Sequence, residues 1–154
     1  MLFTSILMAA MVGVSQGRTC LYIYSKRSTA NTPPAVDVQV VYVGKNPVND
    51  AVGTKYWPEK ITAAPGTMVQ FQFWAGNHTI TQSNFDNPCK PITQNANGTT
   101  VAPIKSGFMP VEESADMGQI PIYTIMINDT SPLWFYCGQG QHCANGMSLV
   151  INEK

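Results

Sequence analysis

Residues 134–147, WFYCGQGQHCANGM, constrain this chain more than any other stretch. Cys137, His142 and Met147 follow one another there at intervals of five, and Cys143 stands directly after the histidine. A thiolate, an imidazole and a thioether thus share one 11-residue loop, entered and left on strand-like sequence. The chain has only two histidines, and the second is His78, far upstream in AGNHTITQ. A loop of this kind needs a rigid frame that closes around it and brings His78 to it.

The flanking sequence supplies strand signals. Val69, Phe71 and Phe73 alternate with Gln70 and Gln72 over 68–74, the pattern of a strand buried on one side. Over 35–43, Val36, Val38, Val40 and Tyr42 share one face and Asp37 and Gln39 the other. Shorter strands are predicted over 21–24, 56–61, 78–82, 122–128, 133–137 and 147–152, with Ala64-Pro65-Gly66 as a turn. Residues 84–119 read as loop, with a short helix near 111–117. About seven short strands with turn signals between them predict an all-β, antiparallel Greek-key sandwich or barrel.

Charge narrows the function. Nine basic and nine acidic side chains cancel, which leaves no electrostatic case for nucleic acid or an anionic membrane. The first 17 residues carry no charged side chain and are mostly apolar, with small residues at Ser15 and Gly17. They predict a secretory signal peptide cut before Arg18, although the segment lacks a basic start. The alternative, a membrane anchor, would need ~20 apolar residues. Residues 18–154 are then one secreted domain, expected to be monomeric. The end, SLVINEK, carries no hydrophobic tail of the kind that signals a lipid anchor. Sequons at Asn77, Asn97 and Asn128 suit the secretory route.

Two imidazoles, one thiolate and a long axial thioether are the donors of a type 1 copper site. His78, Cys137, His142 and Met147 provide that set. Zinc is the competing metal, and the methionine argues for copper against it. Met109 in SGFMPV is the rival thioether, and Met147 has the alternative of a plain core residue. Four cysteines allow three pairings as two bridges. A Cys137–Cys143 bridge would leave His142 and Met147 unexplained. A Cys89–Cys143 bridge would brace the ligand loop, keep Cys137 as a thiolate and leave Cys20 over.

AGNHTITQSNF, SGFMPV and SPLWFYCGQGQHCANGMSLVIN resemble the fungal secreted cupredoxins called extracellular serine-rich proteins, related in pattern to the plant phytocyanins. YWPEKITAAPGTMVQFQF is similar to the family's stretch before the first histidine, and the resemblance covers about residues 36–152. It implies a Greek-key β-sandwich with copper at one end, ligands at His78, Cys137, His142 and Met147, and a bridge between Cys89 and Cys143. Many relatives carry a Ser/Thr-rich stalk and a lipid-anchor signal, neither of which is expected from residues 1–154, and Cys20 has no counterpart in their pattern.

The expected function is one-electron transfer to a partner protein or small reductant, with the His142 ring edge as the exit. Leu133, Phe135, Phe108 and Pro110 are expected to shield the metal. A non-redox extracellular role, in copper sequestration, adhesion or host contact, is the alternative. Two histidines are too few for a multicopper oxidase, and neither is left over as the base of a hydrolase.

Overall fold

The computed structural model describes residues 8–15, 18–25, 35–111 and 119–154. By internal contacts the chain forms two units, Met1–Ala35 and Val36–Lys154. In the first, β1 (Met8–Ser15) and β2 (Arg18–Ser25) pair as an antiparallel hairpin. The expected strand at 21–24 lies within β2. The expected leader, 1–17, lies partly outside the described residues, as does most of the helix expected near 111–117.

The second unit is a sandwich of two four-stranded sheets. One sheet is ordered β10 (Ile122–Met126), β6 (Met68–Phe73), β3 (Val38–Lys45), β4 (Val52–Trp57). The other is β5 (Lys60–Ile61), β12 (Ser148–Ile151), β11 (Leu133–Tyr136), β8 (Thr81–Ser83). A two-stranded pair, β7 (Asn77–His78) with β9 (Met109–Pro110), completes it. The chain passes repeatedly from one large sheet to the other, as Greek-key connections do. The sheets are mixed and not purely antiparallel as expected, because β3 runs parallel to β6 and β12 parallel to β5.

The core lies between the sheets. Val69, Phe71 and Phe73 of β6 are fully buried, as their alternation predicts, and Phe71 meets Phe135 of the facing sheet edge-on at 6.0 Å. In β3 the burial parity differs from the expectation. Val41 and Val43 are buried, whereas Val36 and Val38 are 57% and 49% exposed. Register is the reason: Val41 and Val43 stand opposite Phe71 and Phe73, so the inward face of β6 fixes that of β3. Valines on both sides of the strand hide that choice in the sequence.

The β11–β12 connection carries the cysteine, histidine and methionine of the sequence motif. There Cys137 N–H donates to the Met147 carbonyl at 3.2 Å and Met147 N–H to the His142 carbonyl at 2.9 Å. Further turns, His142 N–H to Gln139 and Gly146 N–H to Cys143, draw residues 137–147 into a compact loop.

Candidate metal centre

Three of the four predicted ligands converge. Donor atoms of His78, Cys137 and His142 lie within 4.8 Å of one another. Cys137 Sγ is 3.7 Å from His78 Nδ1 and 3.4 Å from His142 Nδ1. Imidazole and thiolate bonds of ~2.0–2.3 Å meeting at about 120° would set nitrogen and sulfur ~3.7 Å apart. The spacing therefore suits a shared ion. Met147 is fully buried in the same core cluster as Cys137 and ends the loop.

His78 and the other donors are held by different parts of the fold. His78 sits on β7, with Met109 of β9 directly opposite. Its ring packs where only glycine fits: a Cβ on Gly44 would come within 2.9 Å of Nε2, and one on Gly76 within 3.0 Å. The Ala75 carbonyl accepts from the ring. With Nδ1 turned to Cys137, that bond falls to Nε2–H and leaves Nδ1 as a lone-pair donor. Burial, and then the neighbouring His142, hold His78 down to about 4 from the usual 6.5. The imidazole is thus neutral, the form a metal ligand needs.

Cys137 leaves β11 fully buried and is a free cysteine. Its sulfur accepts a hydrogen bond from Thr79 N–H at 3.4 Å. Thr79 is fixed in turn: its Oγ1 accepts from Gly138 N–H at 2.7 Å and its carbonyl from the Tyr56 hydroxyl at 2.6 Å. Burial, and then Cys137, push the Tyr56 hydroxyl well above its usual pKa, so it remains a proton donor. No motif in the sequence marks Thr79, Tyr56 or Gly44. Thr79 reads there only as part of a sequon, and its role depends on contacts that span 58 residues.

The bridge joins Cys89 to Cys143, as the family resemblance implied, and ties the loop after β8 to the ligand loop. His142 is partly exposed and lines a shallow hollow of about 280 Å³ with Gly53, Gly76 and Gln139. The expected shield is only partly present. Phe135 is buried and Leu133 packs on the core, but Phe108 is 59% exposed and Pro110 is exposed. Phe108 follows Gly107 in a loop, outside the alternation that would have fixed its direction.

The chemistry of these donors settles the fit. One thiolate and two imidazoles at trigonal spacing, with a buried methionine in the same loop, fit one type 1 copper.

No protein-family model matches the sequence. Over 101 residues the chain is 39% identical to the extracellular serine-rich protein of Arthroderma benhamiae, covering 66% of this chain and 36% of that one. Over 100 residues it is 28% identical to a protein of the same fungus named probable GPI-anchored cupredoxin-1, covering 65% and 45%. The chain thus spans about a third of the first relative's length and less than half of the second's. In structure it is similar to reduced auracyanin from Roseiflexus castenholzii, with a TM-score of 0.47 and 16% identity over 76% of this chain and 95% of that one. It is also similar to plastocyanin from Dryopteris crassirhizoma, with a TM-score of 0.46 and 16% identity over 75% and 100%. The chain is a homologue of these fungal proteins, and its fold is all-β, a sandwich of two four-stranded sheets.

Proposed function

We propose that this chain is an extracellular one-electron carrier whose copper is held by His78, Cys137, His142 and Met147. The observation that carries the reading is the buried Cys137 sulfur, 3.4 and 3.7 Å from two imidazole nitrogens. A type 1 copper ion exchanges single electrons with little change in its surroundings when its ligands are held rigidly. This chain supplies that rigidity. The sheets fix Cys137 and Met147 at the two ends of one loop, and the β7–β9 pair fixes His78. The Thr79 N–H draws charge from the thiolate, which favours the reduced state.

His142, partly exposed in its hollow, is the path between the metal and a partner. The names of the fungal relatives, one extracellular and one a GPI-anchored cupredoxin, support a site of action outside the cell or at its surface. A catalytic role has little to work with, since both histidines stand in the metal cluster.

The visible spectrum of the copper(II)-loaded protein tests this. An intense thiolate-to-copper band, lost in Cys137→Ser, is expected, followed by rapid bleaching with a small reductant and recovery on oxidation. A colourless protein that takes up zinc in preference to copper would sink the proposal. A blue protein that fails to cycle would leave copper sequestration as its function.

A further inference from the structure

Trp134 and Phe135 are neighbours on β11, and successive side chains of a strand face opposite ways. Phe135 enters the core, whereas Trp134 lines a cleft of about 820 Å³ on the outside of the sheet. Phe85, 72% exposed, packs against Trp134 on the same wall, with ring centres 5.2 Å apart and planes inclined by 60°. The size is that of a small-ligand site. The metal centre uses none of it.

The rest of the lining is polar. Asn84, Gln94, Asn95 and Asn97 line it, and its ionisable groups are Asp86 and Asp129, with no lysine or arginine among the lining residues. The wall is well braced. Asn95 Oδ1 accepts from Asn97 N–H and Thr99 N–H, Gln94 bridges to Thr100, and the Cys89–Cys143 bond anchors the same loop.

Ring faces set among amides match one ligand chemistry. A pyranose presents an apolar face of C–H groups, slightly positive, that stacks on the negative face of an aromatic ring. Its equatorial hydroxyls both donate and accept, as side-chain amides do. A purely apolar ligand would give the Gln94 and Asn97 amides, which the loop's own hydrogen bonds do not use, nothing to bond. An added peptide strand has no free edge here, since Gln82 of β8 already accepts from Ile92 N–H and donates its own N–H to Ile104. Two carboxylates without a cation repel uronate chains and nucleic acid alike.

We propose that this cleft binds a segment of a neutral polysaccharide, with sugar rings stacked on Phe85 and Trp134. The site is independent of copper, and it would hold the protein on a glycan surface.

Calorimetric titration of the full chain tests it, with a β-1,3-glucan hexamer, an N-acetylglucosamine tetramer and a galacturonate oligomer as probes. At least one neutral oligomer is expected to bind, and the uronate to fail. Phe85→Ala is expected to weaken binding about fivefold or more. An unchanged melting temperature and copper spectrum would show that variant to be folded. Silence with both neutral probes at millimolar concentration would overturn the proposal, as would undiminished binding by folded Phe85→Ala. Tight uronate binding would overturn the charge argument. Binding that emerges only after enzymatic removal of a glycan from Asn97 would assign the cleft to the chain's own sugar, and overturn it too.

Discussion

Thr79 donates its backbone N–H to the Cys137 sulfur across 3.4 Å, and its hydroxyl oxygen accepts from Gly138, the residue that follows that cysteine. One residue therefore sets both the position of the thiolate and the direction in which its loop departs. Truncation to Thr79→Ala keeps the N–H but frees the loop. Copper affinity is expected to fall roughly 10- to 100-fold, and the thiolate-to-copper band to shift. Thr79→Ser, which keeps the oxygen, is expected to restore both. Equal spectra and affinities for all three proteins would show that the hydroxyl positions nothing.

Gly44 tests the seat of His78. Its φ is +83°, and a Cβ there would lie 2.2 Å from the Ala75 carbonyl oxygen. Gly66 has nearly the same conformation, φ +91°, but open space around it. Gly66→Ala is expected to cost ~1–2 kcal/mol of backbone strain alone. Gly44→Ala adds a clash with the carbonyl that holds His78, so a loss of about 3 kcal/mol or more is expected. Urea midpoints measure both, and equal losses would show that the His78 seat tolerates a methyl group.

Much of this candidate centre was legible in the sequence, because three of the four residues that would hold the metal lie close together. Cys137, His142 and Met147 are spaced along one loop, and the scarcity of histidine points to His78. The strands were legible for the same local reason, since alternation in 68–73 survives into burial. What the sequence hid is non-local. The inward face of β3 depends on its parallel register with β6. Met109, the rival thioether, stands 31 residues from His78 in the sequence, yet pairing of β9 with β7 sets it opposite that histidine. Thr79 acquires its partners only when β7, β8 and the ligand loop meet. Phe85, an isolated aromatic in a polar loop, carries no period at all, and its relation to Trp134 exists only in the folded chain.

The opposition of Met109 and His78 makes the axial donor testable. Met147 is fully buried in the core cluster, whereas Met109 is only partly buried. Met147→Gln is expected to shift the charge-transfer band and lower the reduction potential, because an amide oxygen favours copper(II) over copper(I) more than a thioether does. Met109→Leu is expected to leave the band within a few nanometres of its original position, and the reverse outcome would transfer the axial role to Met109.

The Cys89–Cys143 bridge closes a span of 54 residues that contains β9, β10 and β11. Constraint of the unfolded chain over such a span is worth about 3–4 kcal/mol. The double variant Cys89→Ser, Cys143→Ser removes it without leaving a lone thiol beside His142. A lower urea midpoint is expected, together with weaker copper binding, since the ligand loop loses its anchor. A stable variant with weak copper binding would mean that the bridge serves the metal loop alone.

The metal-free protein should weaken in mild acid, and His78 gives the direction. Burial and the neighbouring His142 hold its folded pKa near 4, below the ordinary 6.5 that the unfolded chain regains. Between those values the unfolded chain binds the extra proton and the folded chain does not. Stability therefore falls as pH drops from about 6.5 to about 4, by up to ~3 kcal/mol, and this contribution levels off below. Above 6.5 both forms are neutral and His78 adds no slope. Urea midpoints of apoprotein at intervals from pH 4 to 7.5 would show the decline, and His78→Asn should flatten it in that window, because the asparagine has no proton to gain. Copper deepens the dependence, since the ion is bound only by the folded chain and only through unprotonated nitrogen. An apoprotein whose His78→Asn variant keeps the same slope would show that the decline comes from carboxylates and that His78 titrates at its ordinary value.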